Sequence, residues 1–311
     1  MANTTIYDVI IIGAGPAGLT ACLYALRSRQ KVLLIDKMQL GGYLVSIDRL
    51  ENYPGFPEGI AGIELVKKIE EQLKQYDFNF KLKQVEKVSF SPESLWQLDC
   101  DREKFMARTV IIATGSRHKL LQVKGEKEFT GKGVSYCALC DAPFFKGKDV
   151  VVIGGGNTAL EEALYLTGFA NTVTIMHRRD NFRADKVLQE RVKGNDKIKF
   201  IMNRVCVEIT GQQYVQAVKV KDAQGQVTEI SCAGVFIYIG MKPETDFLHG
   251  LLDTDEAGYI ITDEKLQSSA KGIFACGDCR NSLLRQVITA CGDGALAVYS
   301  ARMFLDQRLR T

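Results

Sequence analysis

The chain has 311 residues, 46% hydrophobic and 25% charged, with a formal net charge of +3. That length allows two domains, each with its own core, and the weak basicity selects neither nucleic acid nor a membrane surface as partner. The sequence enters an apolar strand directly after Thr5 and contains no apolar run near the roughly 20 residues of a membrane helix, so a cytoplasmic protein is expected. Nine cysteines, odd in number and unevenly spaced, argue against a secreted disulfide framework and for mostly reduced thiols.

The first predicted strand, Ile6 to Ile12, is uniformly apolar, as parallel strands covered on both faces are. It runs into Gly13-Ala14-Gly15-Pro16-Ala17-Gly18, and Leu19 to Ser28 follows with helical spacing. A second strand, Lys31 to Ile35, ends at Asp36, where a carboxylate suits a ribose hydroxyl. Further on, Thr109 to Ile112 reads as a strand ending in the tight turn Ala113-Thr114-Gly115.

Two cysteines then stand in Tyr136-Cys137-Ala138-Leu139-Cys140-Asp141. Directly behind them the opening pattern returns. Asp149 to Ile153 leads into Gly154-Gly155-Gly156-Asn157-Thr158-Ala159, Leu160 to Gly168 reads as a helix, and Thr172 to Met176 ends at His177. From first glycine to strand-end residue the offset is 23 in both units. In each, the glycines let backbone N–H groups approach a pyrophosphate beneath the positive end of a helix. Ala159 in place of the last glycine is expected to leave slightly more room between helix and strand.

The strand-end residues distinguish the two ligands. Asp36 suits FAD or NAD, whereas His177-Arg178-Arg179 with Arg183 replaces the carboxylate by a cationic cluster suited to the 2′-phosphate of NADPH. A solvated basic turn is the competing reading, and the position after a glycine fingerprint weighs against it. Near the C-terminus, Gly272 to Ala275 is a strand followed by Cys276-Gly277-Asp278, and Arg285-Gln286-Val287 opens a long helix to about Leu305. Asp278 suits a sugar-like hydroxyl chain, and a helix N-terminus suits the negative charge of a reduced flavin.

These elements predict an α/β fold of two Rossmann-like three-layer nucleotide-binding domains, the NADPH domain inserted into a discontinuous FAD domain. Residues 1–116 and 244–311 are assigned to FAD, and residues 117–243 to NADPH and the cysteine pair. The expected hinges are Gly115-Ser116-Arg117 and Gly240-Met241-Lys242-Pro243.

GAGPAG, ENYPGFP (Glu51 to Pro57), ATG, CALCD, GGGNTALEEA, HRRDNFRA, GIFACGD and RQVITACGDGA occur in this order along nearly the whole chain. Together they resemble the low-molecular-weight thioredoxin reductases of the pyridine nucleotide-disulfide oxidoreductase class. The resemblance implies a cytoplasmic homodimer that passes electrons from NADPH through FAD to a Cys137–Cys140 disulfide and on to thioredoxin. It implies Cys140 nearer the flavin, Cys137 as the attacking thiol, Asp141 as general acid or base, and rotation of the NADPH domain between two arrangements. Implied FAD contacts are Gly13, Gly15, Pro16, Ala17, Gly18, Asp36, Lys37, Gly42, Tyr43, Asn52, Ala113, Thr114, Gly115, Gly277, Asp278, Arg285, Gln286 and Val287. Implied NADPH contacts are Gly154, Gly156, Asn157, Thr158, Ala159, His177, Arg178, Arg179 and Arg183.

The chain departs from the family pattern at three places. Tyr43 stands where Gln is usual, and Leu139 and Ala142 stand where Thr and Gly are usual, so flavin environment and partner preference are expected to shift. Four alternatives remain. Cys276 and Cys279 with the first cysteine pair would make a four-cysteine zinc site, against the expectation of buried small side chains there and at Cys22, Cys100, Cys206, Cys232 and Cys291. A non-enzymatic NADPH-binding redox sensor is the second. A reductase serving a glutaredoxin-like protein or a peroxiredoxin system is the third, and one taking electrons from ferredoxin is the fourth.

Overall fold

The computed structural model describes residues 5–47 and 49–308, apart from the side chains of Cys140 and Arg308. The chain folds into two compact units, one of Met1–Arg117 with Lys242–Thr311 and the other of His118–Met241. The crossings thus fall after Arg117 and before Lys242, against 116 and 244 in the sequence reading.

In the first unit, β1 (Ile6–Ile12), α1 (Pro16–Arg27) and β2 (Val32–Asp36) form the first strand–loop–helix–strand segment. They are followed by α2 (Gly62–Leu73), β3 (Phe80–Leu82), β4 (Lys87–Phe90), β5 (Trp96–Cys100) and β6 (Glu103–Ile112). The second unit begins at His118, the last residue of β7 (Ser116–His118), and contains β8 (Val134–Ser135), α3 (Ala138–Asp141), β9 (Asp149–Gly154), α4 (Asn157–Leu166), β10 (Thr172–His177) and α5 (Lys186–Lys193). It continues with β11 (Ile198–Met202), β12 (Val205–Gly211), β13 (Val215–Lys221), β14 (Val227–Ser231) and β15 (Gly234–Tyr238). The chain returns through β16 (Met241–Pro243), paired with β7, and ends with β17 (Ile273–Ala275) and α6 (Val287–Arg308).

The first sheet has the order β3-β2-β1-β6-β5-β4, with β17 beside the C-terminal part of β6. β6 shows why sequence pattern follows environment. Its first half pairs antiparallel with β5 and keeps exposed positions, while its last four residues, Thr109 to Ile112, lie in the parallel region and are all buried. Side chains alternate between two cores. Val9, Ile11, Leu34 and Ile111 pack with α1, α2 and α6, and Ile10, Ile12, Leu33 and Ile35 pack with Val88, Leu98, Leu248 and Ile260. Small residues let α6 lie close to α1, since a Cβ on Gly294 would come within 2.2 Å of the Ala17 carbonyl oxygen.

The second unit repeats the layering. Its parallel sheet has the order β11-β10-β9-β15-β8. One face packs on α4 and α5 through Val150, Val152, Ile175 and Phe236, and the other on the antiparallel β12-β13-β14 sheet through Val151, Ile153, Val218 and Val235.

Candidate functional site

The first glycine fingerprint is shaped by close packing on one side and open space on the other. A Cβ on Gly13 would meet the Ala113 carbonyl oxygen at 2.3 Å, and one on Gly18 would meet the Gly13 carbonyl carbon at 2.9 Å. Gly15, the N-cap of α1, has nothing within 4 Å of its Cβ position. A bare backbone there, at a helix N-terminus with Pro16 in its first turn, fits a phosphate-bearing group.

The same region gathers segments far apart in sequence. Gly277, at φ +71°, leaves room beside Ala17, whose Cβ would lie 2.9 Å from a Cβ added to the glycine. Gly42, where an added Cβ would lie 3.2 Å from the Gly15 Cα, opens the short 3₁₀ turn in which Tyr43 is 42% exposed. Asn52 donates to the Gln286 side-chain oxygen at 2.9 Å. Thr114 donates to the Glu244 carbonyl at 2.7 Å, tying the Ala113-Thr114-Gly115 turn to the returning chain. Val287 is half-buried against the α1–α6 core. Arg285 stacks over the Tyr259 ring at 4.0 Å, and its buried Nε has no hydrogen-bond partner among the described residues. Burial raises the pKa of the neighbouring Asp278, and the Arg285 charge opposes that rise. An unpaired N–H beside a half-buried carboxylate suits a polar ligand.

Two expected contacts have protein partners. The Asp36 carboxylate accepts from the backbone N–H of Ala14 at 2.6 Å and of Met38 at 2.7 Å, so it closes the glycine loop. The Lys37 ammonium pairs with Glu244 at 3.0 Å.

In the second unit the N-cap glycine of α4 behaves as Gly15 does, with nothing within 4 Å of the Gly156 Cβ position. Ala159 lies against Gly154. Its methyl would lie 2.7 Å from a Cβ on Gly154, and the residue is buried. Asn157 is locked in a reciprocal pair with Asp185, donating at 2.7 Å and accepting the Asp185 N–H at 2.8 Å. Thr158 is exposed beside it, as are Arg178, Arg179 and Arg183. The Arg183 N–H donates to the Gly155 carbonyl at 2.8 Å, which holds that arginine next to the glycine loop. His177 is buried at 6% exposure, and burial followed by the three arginine charges lowers its pKa. The ring is therefore neutral and adds no charge to the cluster.

Cys137 directly precedes the short helix α3, which contains Cys140. Cys137 is disulfide-bonded, and the Cys140 side chain lies outside the described residues. The Ser135 hydroxyl accepts the Cys137 N–H at 3.0 Å and donates to its carbonyl at 3.1 Å. Asp141 closes the turn, its N–H reaching the Cys137 carbonyl at 3.2 Å. Phe144, just beyond, is 71% exposed. The other cysteines expected to be buried, including Cys276 and Cys279, are buried free thiols. Among the described residues no group of three or more His, Cys, Asp or Glu is placed to hold a metal ion.

Residues 7–294 match the pyridine nucleotide-disulphide oxidoreductase family. A thioredoxin reductase of Bacillus subtilis is 42% identical over 313 residues, covering 100% of this chain and 98% of the relative. The chain belongs to the thioredoxin reductase family. Among solved structures, the thioredoxin reductase of Lactococcus lactis superposes with a TM-score of 0.93 at 43% identity, covering 97% of this chain and 99% of that one. That of T. acidophilum superposes with a TM-score of 0.90 at 36% identity, covering 97% and 99%. Flavin and pyridine nucleotide use follow from the family.

For a thioredoxin reductase, sequence reasoning overlooked several residues that hold these segments in place. Asp293 accepts the Gly277 N–H at 3.1 Å and pairs with Arg280 at 3.1 Å, fixing the turn that carries Asp278. Glu126, buried at 4% exposure, accepts the N–H groups of Leu121 and Gln122 and the Tyr136 hydroxyl. Glu162 and Tyr238 converge on the first amide of α3. No local pattern marks Asp293, Glu162 or Tyr238, because their partners come from different elements.

Proposed function

We propose that the protein is an NADPH-dependent thioredoxin reductase that holds FAD in its first unit and NADPH in its second. The observation carrying this reading is the disulfide-bonded Cys137, which shares a unit with a glycine fingerprint followed by three exposed arginines. A flavin supplies a two-electron relay, taking hydride from a nicotinamide and giving an electron pair to a disulfide. Gly15 would leave the amides at the start of α1 open to its pyrophosphate, with Gly13 and Gly18 packing the loop behind it, Gly277 and Asp278 would meet its hydroxyl chain, and Arg285 would offer Nε to a polar group. In the second unit Gly156 exposes the amides at the start of α4, and Arg178, Arg179 and Arg183 select the 2′-phosphate by charge.

In this reading Cys137 and Cys140 form the disulfide that opens on receiving the electron pair. The Cys137 thiolate attacks the disulfide of oxidised thioredoxin, and Cys140 resolves the mixed disulfide, restoring the enzyme's own S–S bond and releasing the dithiol. Asp141, in the same helix, moves the proton that the departing thiolate requires. Phe144 gives the partner an apolar anchor beside the cysteines. Leu296, Tyr299 and Met303 are exposed along one face of α6 and support a homodimer through the first unit. Among the described residues no helix is long and apolar enough to cross a membrane.

The test is an anaerobic titration with NADPH, followed by oxidised thioredoxin. Flavin bleaching with recovery on adding thioredoxin is the expected result. Bleaching without recovery would assign a different acceptor, and absence of bleaching would remove NADPH as donor.

A further inference from the structure

We propose that Glu162 and Tyr238 act as a positioning pair for the redox helix, and that they set how readily the Cys137 disulfide is reduced. The inference deepens the reading above and rests on it. Ala138, the first residue of α3, is fully buried. Its N–H donates to the Tyr238 hydroxyl at 2.9 Å and reaches Glu162 Oε2 at 3.2 Å. Tyr238 in turn donates its hydroxyl to the same Oε2 at 3.2 Å. The three groups form a closed triangle on the peptide that directly follows Cys137.

The triangle joins α3 to the nucleotide-binding framework. Tyr238 ends β15 in register with Gly154, the first glycine of the second fingerprint, and the His118 ring meets it edge-on at 6.1 Å. Glu162 lies in the second turn of α4, the helix capped by Gly156. Together with the Ser135 clasp, this fixes the Cys137 backbone on both sides.

The electrostatic sign follows from the chemistry. When two electrons open the S–S bond and one proton is taken up, a thiol and a thiolate remain. An amide already bonded to a carboxylate is unavailable to that thiolate, and the carboxylate's charge opposes the new one. Both effects favour the disulfide. Donation from Tyr238 damps the carboxylate, so removing the hydroxyl strengthens the opposition.

The experiment equilibrates the holoenzyme anaerobically in glutathione buffers, where two glutathione thiols give one glutathione disulfide as the protein disulfide becomes a dithiol. Acid quenching, alkylation with iodoacetamide and mass spectrometry then measure the dithiol fraction. Glu162→Gln keeps an acceptor for both donors but loses the charge, and is expected to shift the equilibrium about tenfold toward dithiol, or about 30 mV. Tyr238→Phe is expected to shift it the other way, toward disulfide. Loss of packing alone would move both variants in one direction, so shifts of the same sign would overturn the proposal. A Glu162→Gln equilibrium within about twofold of wild type, far below that tenfold shift, would overturn it equally. If wild-type Cys137 did not exchange with glutathione at all, the redox reading of the cysteine pair would fail first, and this inference with it.

Discussion

The His177 ring lies so close to Gly155 that a Cβ on the glycine would come within 2.4 Å of its Cε1. The imidazole supports the glycine loop from beneath, buried and neutral. Its pKa in the folded protein is lowered from 6.5, chiefly by burial. A proton therefore binds the unfolded chain more readily than the folded one. Stability from this residue is complete above about pH 6.5 and is lost as pH falls through that value toward the lower folded pKa. His118, also lowered by burial, contributes with the same sign. Urea midpoints measured across this range should fall on acidification, and less steeply in His177→Gln. An equal slope in that variant would refute the assignment.

The glycines of the second fingerprint predict a separation of ligand binding from folding. Gly156→Val adds a side chain into open space over the start of α4, so the fold should persist while NADPH binding weakens by at least about tenfold, or 1.4 kcal/mol. Gly154→Ala instead drives a methyl to 2.4 Å from the Tyr238 carbonyl oxygen and should lower the melting temperature. Flavin bleaching by NADPH and thermal denaturation distinguish the two outcomes.

Coenzyme choice should follow the exposed arginines. Replacing Arg178 and Arg179 together by Gln is expected to reduce kcat/KM for NADPH by a factor on the order of 100 while leaving that for NADH nearly unchanged. Equal losses with both coenzymes would show that the arginines hold the loop and do not read the phosphate.

Asp293 and Arg280 form an ion pair with only 19% and 16% of their side chains exposed. Asp293→Ala strands the guanidinium and removes the acceptor of the Gly277 N–H, at a cost of about 3 kcal/mol. The flavin should also dissociate more readily, because the turn carrying Asp278 loses its anchor. Equilibrium unfolding and retention of yellow colour on dialysis measure these effects.

Cys137→Ser should retain flavin reduction by NADPH and abolish turnover of thioredoxin disulfide. Phe144→Ala should leave flavin reduction intact and raise the KM for thioredoxin several-fold, consistent with loss of roughly 1 kcal/mol of apolar contact. Stopped-flow absorbance and steady-state assays with purified thioredoxin test both.

Local chain chemistry determined the two strand–glycine–helix–strand segments and the cysteine pair. Apolar runs of strand length, glycine clusters and helical spacing all act within about thirty residues and leave a readable trace. The partners that hold those segments in place were decided only by tertiary structure. Asn52 and Gln286 bond across 234 residues, and Lys37 and Glu244 across 207, because both members belong to elements that the fold of the first unit brings together. Asp36 illustrates the division. Its position at the end of β2 is legible as a ligand contact, yet its carboxylate holds the Ala14 and Met38 amides. The triangle at Ala138 has no sequence signature either, since α3, α4 and β15 meet only once the second sheet has assembled. A hydrogen bond depends on where two groups lie in space, whereas periodicity and spacing record only which groups are near along the chain.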